Sequence, residues 1–208
     1  MVHVAAATLL LGALRLPVAS AESLPVVNPN FSTVAVECSG GWAYQSDPGG
    51  TCESEFPEQD FNTEVGIGWT FAPWHEALVG TGVTGPNTGF DPPPFTGLPF
   101  DTAALLQEQS VIFQEIPGFV LGQTYKLTFY LGSRYNSGVS DGNQTVLVKL
   151  DEKPIGFWKL VSFTPFTLRT VLFTADSAGP QVLEFLGTIH GDHTAFFSGV
   201  SIVSVSGQ

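Results

Sequence analysis

The feature that most constrains this chain is a hydrophobic alternation of period two, repeated in short runs through its C-terminal half. In Tyr125-Lys126-Leu127-Thr128-Phe129-Tyr130-Leu131 the odd positions are apolar, which in an extended strand directs one row of side chains into a core and leaves Lys126, Thr128 and Tyr130 facing outward. Similar runs follow at Thr145 to Leu150, Phe166 to Ala175, Gln181 to Gly187 and Thr194 to Val205, with turn sequences at Ser140-Asp141-Gly142-Asn143 and Ser177-Ala178-Gly179-Pro180. Short strands at this spacing predict an all-β sandwich or barrel. The 23 Gly and 15 Pro interrupt most windows that could hold a helix, and Thr102 to Gln109 is the best remaining stretch for a short one.

The first half is less regular. Val26 to Val36 and Gly66 to Phe71 read as strands, and Ala103 to Leu106 with Ser110 to Ile116 as a further pair. Two long connections lie among them, Glu37 to Asn62 and Pro73 to Phe100, the second containing Asp91-Pro92-Pro93-Pro94. Loops of such length are uncommon in a compact domain unless they carry function or are disordered, so they are the places to expect a site.

Residues 1–21 read as a secretory signal. The apolar run Ala5 to Leu14 is too short to span a bilayer and leads to Ala19-Ser20-Ala21, a small-residue cleavage pattern. The expected product is a secreted, extracellular protein of residues 22–208, a length suited to one domain. No second apolar stretch approaches about 20 residues, so membrane insertion is not expected. In an oxidising compartment Cys38 and Cys52 are expected to pair, and closing that loop would stabilise the fold by roughly 3 kcal/mol on the chain-entropy model.

The formal net charge is −12, and the stretch from Glu22 to Glu115 holds most of the acids and no Lys or Arg. Such a field repels phosphates, which excludes nucleic acid and anionic lipid as expected partners. It is compatible with cations and with neutral sugars, and an acidic surface also simply keeps an exported protein soluble.

Sugar binding on a β-sandwich requires aromatic faces for the apolar side of a pyranose and a few polar groups for its hydroxyls. Trp42, Tyr44, Trp74 and Tyr135 all fall in expected loops, and Arg134-Tyr135-Asn136 follows a strand directly, offering a fork donor, a ring and an amide. Ordinary packing beneath a long loop competes with that role at each position. Trp69 sits in an expected strand and suits a core, whereas Trp158 is compatible with either role.

His190-Gly191-Asp192-His193 invites a metal reading, but short clusters of this kind are usually solvated loop residues, and a catalytic zinc site needs another well-placed ligand and a base. The acids Glu53, Glu55, Glu58, Asp60 and Glu64 lack the apolar neighbours that would raise one carboxyl of a glycosidase pair. With no nucleophile elbow or phosphate loop present, catalysis is not expected. Asn30-Phe31-Ser32 and Asn143-Gln144-Thr145 are acceptors for N-glycosylation in a host that performs it.

Taken in order, Asn28-Pro29-Asn30-Phe31, Gly68-Trp69-Thr70-Phe71, Ala104-Leu105-Leu106-Gln107, Ile112 to Ile116, Gly122-Gln123-Thr124-Tyr125, Phe129 to Arg134 and Gly191 to Phe196 resemble the galactose-binding-like jelly rolls. Among these the chain is most similar to carbohydrate-binding-module-like domains of exported surface and cell-wall proteins. The resemblance implies a single jelly-roll β-sandwich with a carbohydrate partner; an alternative is an extracellular structural or adhesion protein that binds other proteins through the sandwich surface. Related modules can hold a structural calcium ion through a last-strand Asp. Here those positions are Ser198 and Gly199, which leaves Asn28 and Asp192 as oxygen donors for calcium.

Overall fold

The computed structural model of the protein describes residues 21–32, 68–72, 80–86, 88, 90–135 and 141–205, together with the backbone of 42–44. Among them are eleven strands and no helix: β1 (Trp42–Tyr44), β2 (Thr70–Ala72), β3 (Thr81–Thr84), β4 (Ala103–Gln107), β5 (Val111–Phe119), β6 (Thr124–Ser133), β7 (Thr145–Leu150), β8 (Lys153–Lys159), β9 (Thr167–Thr174), β10 (Gly179–Gly187) and β11 (Thr194–Ser204). They form a six-stranded sheet in the order β1-β3-β4-β11-β6-β9 and a five-stranded sheet in the order β2-β5-β10-β7-β8, every pairing antiparallel. The expected all-β jelly-roll sandwich is the observed architecture.

The period-two signal maps directly onto burial. Along β6, Tyr125, Leu127, Phe129 and Leu131 are buried while Lys126 is exposed. The layers meet in an aromatic cluster: Phe185 of the smaller sheet stacks on Phe197 of the larger at 4.1 Å between ring centroids and 15° between planes. Trp69 lies 6.1 Å from each of these rings. Phe31 closes the group at 5.1 Å from Trp69 and 5.2 Å from Phe197. The fully buried indole keeps its N–H satisfied by donating to the Asn28 carbonyl at 3.1 Å, so Trp69 takes the core role its strand position predicts.

Several elements differ from the sequence reading. The short helix considered over Thr102 to Gln109 does not form; the strand expected over Ala103 to Leu106 does, as β4, with Ala104 and Leu106 facing the inter-sheet core while Ala103 and Leu105 pack in a second cluster on the opposite face. A run buried on both sides carries no alternation, so periodicity alone does not mark it as a strand. Residues 26–32, expected to begin a strand, instead turn, with Asn28 at φ 45° and Phe31 at φ 54°; 33–36 lie outside the described residues. The two long expected loops contain β1 and β3, which pair antiparallel at the outer edge of the larger sheet although β2, in the other sheet, lies between them in sequence.

Strand β8 escapes the alternation because Pro154 and Gly156 interrupt it. As an edge strand it tolerates the missing N–H of Pro154, and at Gly156 a Cβ would lie 2.4 Å from Cη2 of Trp158, so only glycine lets that indole fold back over its own strand. A second cluster, Phe90, Ala103, Leu105 and Phe196 with Phe95 and Phe166, lies on the outer face of the larger sheet, where the proline-rich segment crosses it. Pro93 packs so closely there that a Cβ on Gly132 would come within 3.0 Å of its ring.

Replacing either stacked ring opens a cavity shared by both layers. Phe185→Ala and Phe197→Ala should each lower the unfolding free energy by about 3–5 kcal/mol, read as a shift of the denaturant midpoint. A loss below about 1 kcal/mol would mean that the stack is not what joins the sheets.

Candidate functional site

Arg134 and Tyr135 leave the end of β6, as expected, but they face different ways. Arg134 is buried, its Nη1 donating to Asp192 Oδ1 at 3.0 Å while its guanidinium lies 5.5 Å over the Phe90 ring. Gln107 Nε2 donates to the same carboxylate oxygen. The Arg134 backbone is tied on both sides, its N–H to the Thr194 carbonyl at 3.1 Å and its carbonyl to the Phe163 N–H at 3.0 Å. This corrects the expectation that Arg134 offers a fork donor to ligand: the guanidinium binds the loop before β11 to the segment crossing the larger sheet.

Tyr135 is half-exposed. Its N–H donates to the Asp91 carbonyl at 3.0 Å, and its ring lies 5.5 Å from that of Phe163, which is 53% exposed. The two rings form a partly open aromatic pair at one end of the sandwich, beside Ser162, Asp141 and Asn143. Sequence reasoning missed Phe163; its proximity to Tyr135 comes from two returning chain segments that no local pattern reveals. Trp42 and Tyr44 belong to β1 and not to a loop. Trp74, Asn136, Cys38, Cys52 and the acidic run Glu53 to Glu64 lie outside the described residues.

Beneath the aromatic pair is a hydrogen-bonded hub. Gln144, fully buried, donates to the carbonyls of Glu108 and His193 at 3.0 and 2.9 Å and accepts from the N–H groups of Thr145, Thr188 and Ile189 at 2.8, 3.1 and 2.9 Å. His193 Nδ1 meets Asp141 Oδ1 at 2.5 Å, and His190 Nδ1 lies 3.5 Å from Glu108 Oε2. The His-Gly-Asp-His segment therefore holds loops together through Asp141, Glu108, Gln144, Arg134 and Gln107. Among the described residues no group of three or more His, Cys, Asp or Glu is arranged to hold a metal ion.

The proposed calcium donors do not fit a common ion. Asp192 faces the Arg134 cation, while Asn28 sits alongside the middle of β11, where the adjacent Pro29 carbonyl accepts from Val200. At the positions where a related module carries an acid, the buried Ser198 hydroxyl donates to the Thr102 carbonyl at 2.9 Å, and Gly199 forms a bulge at φ 66°. Of the two sequons, Asn143 is exposed, whereas Asn30 is half-buried with its carbonyl accepting from Thr102 Oγ1 at 2.7 Å.

Burial alone pushes the Asp141 carboxyl up, but the His193 ring and the N–H groups of Asn143 outweigh it and hold the group below its ordinary value of 3.8. A carboxylate whose folded pKa lies below its unfolded one stabilises the fold above the unfolded value, and that contribution disappears as pH falls through the folded one. Asp141→Asn removes it. Thermal melts should show the wild type losing more stability than the variant between about pH 5 and pH 2; parallel losses would show that the bonds to Asp141 do not favour its charged form.

A cavity of about 370 Å³ opens on the flank of the sandwich near the other end of β9. Leu150, Pro154, Ile155 and Phe173 form its apolar wall, and the exposed Lys153–Asp176 ion pair, 2.5 Å long, stands at its rim. Gln181, buried, also lines it, its amide N–H groups held by Ser177.

No family model matches the sequence, and no curated protein matches it. Solved structures do. A cyclase from Fischerella sp. in its apo form shares 13% identity, covers 91% of this chain and 98% of its own, and superposes with a TM-score of 0.63. A Stig cyclase from Fischerella sp. TAU in complex with (3Z)-3-(1-methyl-2-pyrrolidinylidene)-3H-indole also shares 13% identity, covering 91% and 100% of the two chains with a TM-score of 0.61. A CBM4 structure at 12% identity covers 87% and 100%, but its TM-score of 0.49 is too low to bear on function. Identity at this level defines a shared jelly-roll fold. It also overturns the expectation that the chain is no enzyme, since chains matching it nearly end to end are cyclases and the architecture therefore does not speak against catalysis.

Proposed function

We propose that this is an exported carbohydrate-recognition protein that holds a sugar at the loop end of the sandwich, against Tyr135 and Phe163. The supporting observation is the aromatic pair itself: two partly exposed rings 5.5 Å apart, tilted by 49°, with the Tyr135 N–H donating to the Asp91 carbonyl and the Phe163 N–H to the carbonyl of the buried Arg134. Rings held in this way lose little freedom when a pyranose packs against them, and Asp141, Asn143 and Ser162 beside them supply polar groups for its hydroxyls. Export is supported by residues 1–21, and it accounts for the paired-cysteine expectation at Cys38 and Cys52.

A glycan array followed by calorimetry tests the reading. The wild type should bind at least one neutral oligosaccharide, and Tyr135→Ala with Phe163→Ala should weaken that binding by about tenfold or more, equivalent to roughly 1.4 kcal/mol, without changing the melting temperature appreciably. A protein retained on no glycan, or a double variant that binds as the wild type does, would end it. Intact-mass analysis of protein collected from the medium should show a chain beginning at Glu22 that takes up no thiol reagent before reduction.

The flank cavity favours a second reading, capture of a small, largely apolar molecule. Its Phe173 and Leu150 wall suits a flat ring system, and the Stig cyclase of the same fold was crystallised with an indole compound. Titration with an indole ketone, followed by the shift in melting temperature, should show stabilisation in the wild type that Phe173→Ala removes; no shift at millimolar ligand would dismiss it.

A further inference from the structure

The cations of the described residues fall into distinct groups. Arg134, Lys149 and Lys153 are paired with Asp192, Glu184 and Asp176 at 3.0, 3.6 and 2.5 Å. Lys126 and Lys159 are exposed, as surface lysines commonly are. Arg169 is neither. It sits on β9, the outermost strand of the larger sheet, directly opposite the fully buried Phe129, and it shares a strand face with the buried Val171 and Phe173. Residues directly opposite in an antiparallel pair lie on the same side of the sheet, so the Arg169 side chain starts inward, toward the space between the layers. There it meets no ion-pair or hydrogen-bond partner among the described residues, and its Nε is buried without one. A buried donor left without a partner is costly, more so when it is charged, and no acid of the described residues forms an ion pair with Arg169.

The facing edge belongs to β8, the outermost strand of the smaller sheet. Trp158 projects from it and meets Phe129 edge-on, at 5.1 Å and 89°. A Cβ on Gly156 would touch both the Trp158 ring and Cγ2 of Val171, at 2.4 and 3.1 Å, so the two edge strands approach closely and the indole lies across the gap. Trp158 is half-exposed, and its N–H has no acceptor among the described residues. The slot between β8 and β9 therefore brings together an aromatic ring and a guanidinium whose buried Nε has no partner among the described residues.

We propose that this slot binds a carboxylate-bearing sugar, a hexuronate residue of an acidic oligosaccharide. Arg169 takes the carboxylate through its fork of N–H groups, and Trp158 packs against the apolar face of the ring. A guanidinium without an acid of its own selects for the charged sugar in spite of the chain's overall charge of −12, and the lateral position lets an extended chain lie along two edge strands. The slot is separate from the loop-end pair Tyr135–Phe163, and each can fail without the other.

Calorimetric and tryptophan-fluorescence titration of the full exported chain with an oligogalacturonate, its methyl ester and an oligoglutamate decides the matter. The oligogalacturonate should bind, with the ester and the peptide about tenfold or more weaker. Arg169→Gln should abolish that preference while leaving the melting temperature equal or higher, because a poorly satisfied buried charge has been removed. Trp158→Phe should weaken binding and remove the fluorescence response, and Tyr135→Ala should leave both unchanged. Absence of oligogalacturonate binding, equal binding of the ester or of the oligoglutamate, or full retention of binding by Arg169→Gln would each overturn the proposal. Loss of binding in Tyr135→Ala would overturn the separateness of the slot and assign the ligand to the loop end.

Discussion

Everything in this molecule depends on the contact between Phe185 and Phe197, one ring from each sheet, stacked face to face and walled in by Trp69 and Phe31. Two antiparallel sheets have no covalent reason to lie on one another; what joins them is the apolar surface they hide, and here the densest part of it is aromatic. Trp69 reaches that cluster only because the chain turns at Asn28 and offers a carbonyl to its indole N–H, so an irregular N-terminal segment is part of the core rather than a trimming of it. Further along the sandwich Phe119, Tyr125 and Phe173 repeat the arrangement, and the Tyr125 hydroxyl accepts a bond from the Val120 backbone.

With the layers fixed, the ends and flanks are free to differ from one another. At the loop end, buried polar groups do what apolar groups do in the centre: Gln144 gathers three segments, and Arg134 with Asp192 gathers two more. Polar networks of this kind are directional, and they place the Tyr135–Phe163 pair more definitely than hydrophobic contact would. On the flank the edges of β8 and β9 approach without pairing, which leaves an opening between layers instead of a closed barrel.

The sandwich was legible in the sequence wherever one face of a strand is buried and the other wet, as in β6, β7, β9 and β10. It was not legible where that condition fails. β8 is an edge strand interrupted by proline and glycine, and β1 and β3 are too short to show a period; β4, covered on both faces, was read as a strand over Ala103 to Leu106 but its missing alternation left a helix over the same stretch as a competitor. The candidate site was legible to a lesser degree. Tyr135 could be singled out because an aromatic following a strand end has no obvious core to fill, but its neighbour Phe163 comes from a segment far along the chain. The burial of Arg134 depends on Asp192 and Phe90, which only the folded topology brings to it. Nothing local in the sequence singles out Arg169; its unusual position shows only when the opposite residue is known to be Phe129.

The proline-rich segment that crosses the larger sheet couples two regions with very different tolerance for change. Its first part is fixed: Phe90 lies under Arg134, Asp91 accepts from Tyr135, and Pro93 is pressed against Gly132. Beyond that, Thr96, Gly97 and Pro99 are exposed, and a Cβ on Gly97 would find nothing within 4 Å. Lineages of such a protein can therefore lengthen or recompose that outer bend without disturbing the layers beneath, while each change tugs on the mooring of the neighbouring aromatic rings. Variation in how the two rings are set can in this way accumulate in a stretch that lies apart from them.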